Sequence, residues 1–261
     1  MKKLVRILLI IPTIYLVGIP AYYAFTSFVK PCRDFEITIS DSSDYHFVTK
    51  RDIQNTIFAR NGNPVGKPVR DIKLSEIEET MNSRYRELKS AEAFMSVDGT
   101  LHLFADQRTP IMRIMPNEGG DYYLDSEGVV VRRRNLYTPR LHIVGGNINI
   151  SQAMLNGVSV LDTSIKNTIL RDIYYLVGFI NGNSFWSAQI DQIYVDSHDE
   201  IVLIPRVGNH TVHLGTADNF EGKLRNLKVF YDRVLPEVGW NKYSTINLAF
   251  SGQIVCRRRQ Q

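Results

Sequence analysis

"STINLAFSGQIVCRRRQQ", residues 244–261, closes the chain, and its reading decides how the last sheet is built. Up to Phe250 it alternates. Ile246, Leu248 and Phe250 point one way, and Thr245, Asn247 and Ala249 the other, the period of a half-buried strand. Ser251-Gly252 reads as a two-residue hairpin turn. The returning strand is apolar on both faces at Ile254, Val255 and Cys256. A final strand of that kind needs a cover, and the rest of the chain has to supply it or leave it to a partner.

Bulk composition narrows the choice of partner. The 261 residues carry a formal charge of +4 and are 44% hydrophobic. Lys2, Lys3 and Arg6 start the chain, and Arg257, Arg258 and Arg259 end it. Without those six, 25 basic residues face 27 acidic ones. A body with that balance has no bulk electrostatic reason to bind nucleic acid.

The first cluster precedes an uncharged run, Ile7 to Val29. As a helix this run spans about 34 Å, against a hydrocarbon core of about 30 Å. Pro12, Gly18 and Pro20 are tolerated in membrane helices, and Tyr22 and Tyr23 suit an interface. The basic residues before the run favour a cytoplasmic N-terminus. A cleavable signal peptide is the rival reading, but its apolar region is about 7–15 residues and ends at a small-x-small site. The expectation is an uncleaved anchor over 7–29 behind a cytoplasmic tail, 1–6. Two cysteines far apart in sequence, Cys32 and Cys256, give no reason to expect a structural disulfide.

The rest divides in two. Residues 33–107 read strand, helix, helix, strand, strand. Thr49 and Asp52 have capping-box spacing, with Val48 and Ile53 at the staple positions. Asn61-Gly62 closes that helix. Ser75 and Glu78 repeat the spacing and predict the start of a second helix. Residues 108–256 are mostly short strands, ahead of a basic tail, 257–261. Two helices interrupt them. One is expected to begin after Asp162 or Thr163, with Ile165, Ile169, Ile173, Leu176 and Ile180 as its stripe. The other runs from near Asn219 to Leu235, with Phe220, Leu224, Leu227, Tyr231 and Val234 on one face. The fold class is α+β: a single transmembrane helix, a βααββ domain, and a mainly antiparallel β-domain with two flanking helices.

No nucleophile elbow, phosphate loop, zinc-protease helix or paired metal-spaced cysteines occurs. His210 and His213, if they share a strand, point to opposite faces and read as surface residues. "DSHDE", 196–200, reads as a solvated turn. Asp121 and Asp125 bracket a strand, and the arginine run 132–134 reads as a solvated strand end. No catalytic residue, metal ligand or cofactor site is expected.

A resemblance gives this architecture a function. "QRTPIMRI" (107–114), "DYYLDSEGVV" (121–130), "HLGTADNFEGKL" (213–224) and "YSTINLAFSGQIVCRR" (243–258) resemble, in order, segments of the FtsQ/DivIB family of bacterial cell-division proteins. The resemblance implies a membrane helix, a POTRA domain and a β-domain in the envelope space, at the inner membrane and division septum. It implies a non-enzymatic protein that joins the division complex, has FtsB and FtsL as partners, and helps control septal peptidoglycan synthesis. It also implies that a partner adds a strand at the last sheet edge, through Asn247, Leu248, Ala249, Phe250, Ser251, Gly252, Ile254 and Val255. Asn247 stands for the family's usual Asp, Ala249 for its usual Arg, and Gln107 for its usual Glu. An outer-membrane assembly or secretion factor with POTRA modules is the runner-up, but those chains continue into a large barrel. An envelope hydrolase is a further alternative, with no motif to carry it.

Length and charge of the first thirty residues predict topology. A reporter active only outside the cytoplasm should work when fused after Gln261, and the mature protein should keep its first residues. Activity from a cytoplasm-only reporter at that position, or a mature N-terminus near residue 25, defeats the reading.

Overall fold

The structure, a computed structural model, describes residues 15–22, 30–40, 47–133, 139–166 and 168–260. Residues 15–22 are helical. The remainder of the expected anchor, 7–29, and the tail, 1–6, lie outside the described residues. Among the described residues no helix is long and apolar enough to cross a membrane. The chain divides into two compact units between Arg108 and Thr109.

The first unit contains β1 (Asp34–Ser40), α1 (Lys50–Arg60), a 3-10 turn (Val69–Asp71), α2 (Leu74–Arg84), β2 (Leu88–Met95) and β3 (Thr100–Gln107). Its sheet has the order β1-β3-β2, with β1 parallel and β2 antiparallel to β3. Alternation along the strands puts Ile37, Ala91, Ala93, Leu101, Leu103 and Ala105 on one face, where they meet Ile53 and Ile57 of α1 and Ile77 and Met81 of α2.

α1 starts as its sequence predicts. Thr49 Oγ1 accepts the Asp52 N–H at 3.2 Å, and the Asp52 carboxylate accepts the Thr49 N–H at 3.1 Å. Val48 and Ile53 are both buried beside it. The same spacing at Ser75 and Glu78 does not make a cap. α2 begins at Leu74, one residue before Ser75, and its N-cap Lys73 makes no side-chain capping bond. Glu78 is engaged elsewhere: its Oε1 accepts the Ala93 N–H at 2.8 Å, tying α2 to β2. Gln107 also acts at long range. Its Oε1 accepts the N–H groups of Phe47 and Val48, both at 3.1 Å, and so clamps the lead-in to α1 against the end of β3. An amide oxygen serves there as well as a carboxylate, which accounts for a glutamine at this position.

The second unit contains β4 (Pro110–Pro116), β5 (Tyr122–Asp125), β6 (Val130–Arg132), β7 (His142–Gly146), α3 (Gln152–Leu155), α4 (Ile169–Asn181), α5 (Ser184–Gln189), β8 (Ile190–Val195), β9 (Ile201–Pro205), β10 (Thr211–Gly215), α6 (Phe220–Arg233), α7 (Leu235–Val238), β11 (Tyr243–Asn247) and β12 (Val255–Arg258). Its nine strands form one sheet in the order β12-β11-β10-β9-β8-β7-β4-β5-β6. Most neighbours are antiparallel; β4/β7, β7/β8 and β10/β11 are parallel. Leu170, Ile173, Leu176, Val177 and Ile180 of α4, and Leu224, Leu227 and Tyr231 of α6, bury against strand residues such as Ile114, Val144, Ile193, Leu203, Val212 and Ile246.

Two expectations shift. α4 begins at Ile169, capped by Thr168 Oγ1, rather than after Asp162 or Thr163. Asp162 instead accepts the Ser164 N–H at 2.8 Å in a turn. Arg171 occupies the carbonyls of Val160, Asp162 and Ile165 at 3.0, 2.7 and 2.6 Å, so this segment has its partners without becoming a helix. Ile165 is still buried. At the end of the chain, β11 stops at Asn247 rather than Phe250, because the Asn247 side-chain oxygen accepts the Ala249 N–H at 2.8 Å and turns the backbone. The connection to β12 is residues 248–254, not a two-residue loop. Ser251 and Gly252 are still the centre of a turn within it: Gln253 N–H reaches the Phe250 carbonyl at 3.5 Å, and Gly252 has φ +74°. β12 runs through Arg257 and Arg258, which sequence assigned to the tail.

The Thr49 cap generates a stability test. Thr49→Ala removes the acceptor for the Asp52 N–H and should cost about 1 kcal/mol in chemical denaturation of the purified part beyond Arg33. An unchanged midpoint and slope would show that the cap contributes nothing.

Candidate partner-binding edge

β12 ends the sheet, and among the described residues no strand lies on its outer side. The register identifies which of its backbone groups are open. β12 pairs with β11 as Asn247↔Val255, Ile246↔Cys256 and Thr245↔Arg257. On the inner side of β11, the Leu248 N–H donates to the His213 carbonyl of β10 at 2.8 Å. On the β12 side, Ser244 Oγ donates to the Arg257 carbonyl at 3.3 Å, and the Arg259 N–H donates to the Lys242 carbonyl at 3.1 Å. A residue's N–H and C=O point the same way in an antiparallel ladder, and the direction alternates. Val255, Arg257 and Arg259 therefore face β11. Cys256 and Arg258 present their N–H and C=O groups to the open edge.

Side chains alternate across the sheet instead. Val255 is 45% exposed, opposite Asn247 on the uncovered face. Cys256, opposite the buried Ile246, is half-buried and packs on the core with Ile254. Burial pushes the Cys256 thiol pKa up, which keeps it protonated and inert.

The 248–254 connection forms one wall of a groove of about 330 Å³, opposite Thr216, Asp218, Asn219, Gly222, Lys223 and Asn226 from the β10–α6 turn and the first turns of α6. Leu248, Ala249, Phe250, Ser251, Gly252 and Ile254 all line it. Asn247 and Val255, from the same expected set, do not. Asn247 shapes the wall by turning the chain, and Val255 belongs to the strand. Phe250 is 51% exposed. Gly215 has φ +74°, and a Cβ there would stand 2.8 Å from the Ala249 Cβ, so the end of β10 needs a glycine beside that alanine. Lys223 Nζ donates to the Leu214 and Thr216 carbonyls at 2.9 and 2.8 Å, closing the end of β10. Burial holds its pKa below the ordinary lysine value.

The residues expected along the last sheet edge fall mostly on the connection, and the open backbone groups of β12 belong to Cys256 and Arg258, which were not among them. Counting alternation from a two-residue turn hides them. The true register depends on the long connection and on a bulge between Tyr243 and Thr245.

Other groups of chemical interest are structural. Asp121 receives a bidentate Arg113 at 2.8 and 2.7 Å and Arg133 at 2.9 Å. Burial pushes its acid up, and the two guanidiniums more than offset this, leaving it below the ordinary range. Asp125 accepts the Glu127 and Val129 N–H groups at 2.9 and 2.7 Å in a turn. Asp196 does the same for His198 and Glu200, at 2.8 and 3.0 Å. Among the described residues, no group of three or more His, Cys, Asp or Glu is placed to hold a metal. His210 was expected at the surface and is only 4% exposed. It lies just before β10, so the strand-face alternation does not apply to it. Its Nε2 pairs with the Tyr231 hydroxyl at 2.8 Å, and its Nδ1 is buried with no hydrogen-bond partner.

Comparison with known families agrees with this division. Residues 109–257 match the family described as FtsQ/DivIB, C-terminal related, and residues 30–105 match a POTRA-like domain. No curated protein matches the chain.

The buried histidine predicts how the groove side of the sheet responds to acid. Burial holds the His210 pKa below its ordinary 6.5; the Trp240 backbone beside it works against this, and nearby Arg259 adds to it. The Tyr231 phenol also faces its ring, and burial pushes that phenol's own pKa far up. The unfolded chain therefore takes up the proton first. Stability from this residue is intact above about pH 6.5 and is lost as pH falls below that value toward the folded pKa. Melting temperatures from pH 7.5 to 5 should fall less steeply in His210→Asn than in the wild type. Parallel curves would remove His210 as a source of acid sensitivity.

Proposed function

Because the chain belongs to the FtsQ/DivIB family of bacterial cell-division proteins, we propose that it is a non-enzymatic docking scaffold of the division complex, held at the inner membrane by residues 7–29. Its two units work outside the cytoplasm, at the septum. There it binds FtsB- and FtsL-like partners and helps control septal peptidoglycan synthesis.

The observation that carries this reading is the open backbone of Cys256 and Arg258 beside the groove formed by residues 248–254. A partner strand laid along β12 satisfies those donors and acceptors, and the segment that follows or precedes it fills the groove. Phe250 offers the aromatic anchor that such interfaces use. Lys242, Arg257 and Arg258 bring positive charge to the edge, which favours an acidic partner segment and speeds its encounter.

The direction of the backbone makes the test specific. A proline tolerates an edge position whose N–H faces solvent, but not one that pairs within the sheet. Cys256→Pro should therefore leave the fold intact by circular dichroism and weaken binding of an FtsB-like segment about tenfold, roughly 1.4 kcal/mol. Val255→Pro should instead destabilise the hairpin itself. Phe250→Ala should weaken binding with little change in melting temperature, since the ring is half in solvent. Full affinity in a folded Cys256→Pro variant would move the interface off this edge.

A further inference from the structure

The three-stranded sheet of the first unit has a second face, and neither helix covers it. Register places eleven side chains on it: Asp34 and Thr100; Glu36, His102 and Phe94; Thr38, Phe104 and Glu92; Ser40, Asp106 and Ser90. Phe94 and Phe104 are 46% and 43% exposed. Their rings lie 5.6 Å apart and within 10° of parallel, and the His102 ring stacks on Phe94 at 5.0 Å. The imidazole is fixed from the other side by Glu36, 3.2 Å away.

Scattered exposed phenylalanines are ordinary; a contiguous ridge of three stacked rings on a sheet face is not. The ridge has a sign of charge around it. Asp34, Glu36, Glu92 and Asp106 occupy the surrounding positions, and no lysine or arginine occupies any of the eleven. The exposed Lys89 sits in the bulge between Leu88 and Ser90, outside those rows.

We propose that this face is a second docking surface, independent of the β12 edge, for a polypeptide segment rich in arginine or lysine. The acidic border selects the charge. It repels anionic lipid surfaces and nucleic-acid phosphates, which removes two common uses of an aromatic platform. A basic side chain lays its methylene stem along the rings and its cationic head against a border carboxylate, and an arginine also stacks on the open face of Phe104. β1 and β2 each end the sheet and keep their outer edges among the described residues, but the ridge stands on the sheet's face, so recognition here runs through side chains.

The test uses the full chain in nanodiscs of zwitterionic lipid, with two fluorescent octapeptides as probes, alternating Arg-Leu and alternating Glu-Leu. The basic peptide should bind and the acidic one should not. Phe94→Ser with Phe104→Ser should weaken binding at least tenfold, and so should Glu92→Lys with Asp106→Lys, which leaves the rings and the Glu36 contact to His102 in place. Should the aromatic variant fail to fold, the charge-reversed pair decides. Equal binding of the basic peptide by wild type and the charge-reversed variant overturns the proposal. So does equal binding of both peptides, or displacement of the basic peptide by a neutral chito-oligosaccharide. Cys256→Pro should bind the basic peptide as the wild type does; loss there would assign the signal to the other site.

Discussion

The terminal hairpin hangs from the second unit by a short parallel ladder, Thr211–His213 against Thr245–Asn247. Parallel neighbours need a crossover, and α6 supplies it. Leu224, Leu227 and Tyr231 of that helix bury over Val212 and Ile246, so the core formed by the crossover is what fixes β11 in place. β12 pairs with the sheet only through β11, and its Cys256 adds a contact to the same core. The open edge is therefore as well ordered as the α6 packing allows. Disturbance of Tyr231, or of His210 against it, reaches the edge through β10 and β11 rather than through the groove.

Several turns of the chain depend on side chains that satisfy distant backbone groups. Arg171 takes three carbonyls ahead of α4, Lys223 takes two at the end of β10, and Gln107 takes two N–H groups ahead of α1. Such bonds explain the limits of reading this sequence locally. The Thr49 cap was legible because both partners lie within four residues. Ser75 and Glu78 have the same spacing, but Glu78 has a better use on β2, fifteen residues away. The α4 stripe was legible, and its start was not, because the pattern continues into Ile165 while the backbone there is held by Arg171. Periodicity reports burial reliably and reports helix boundaries only when the cap is local.

The candidate site divides along the same line. Which residues form it came from an ordered set of family-like segments, and six of the eight line the groove. How they form it depended on register. A seven-residue connection and a bulge set the direction of every N–H in β12, and neither has a strong local signature. Asn247 illustrates the point: read as one more strand residue, it is the residue that ends the strand.

An open edge is a hazard as well as a candidate site, because a second copy of the chain could pair with it as readily as a partner. The arginines resolve this conflict. Antiparallel pairing of two β12 strands would set Arg257 and Arg258 of one copy beside those of the other, and like charges directly opposite are destabilising. An acidic partner strand meets the same residues with the opposite sign. On the proposed function, the charge that discourages self-pairing would also set the direction of partner choice, giving specificity at this edge a repulsive and an attractive element. The family's usual arginine at position 249 is an alanine here, packed close to Gly215. The connection's wall of the groove therefore carries no arginine, and on the proposed function a matching partner would place its acidic residues along the paired strand itself.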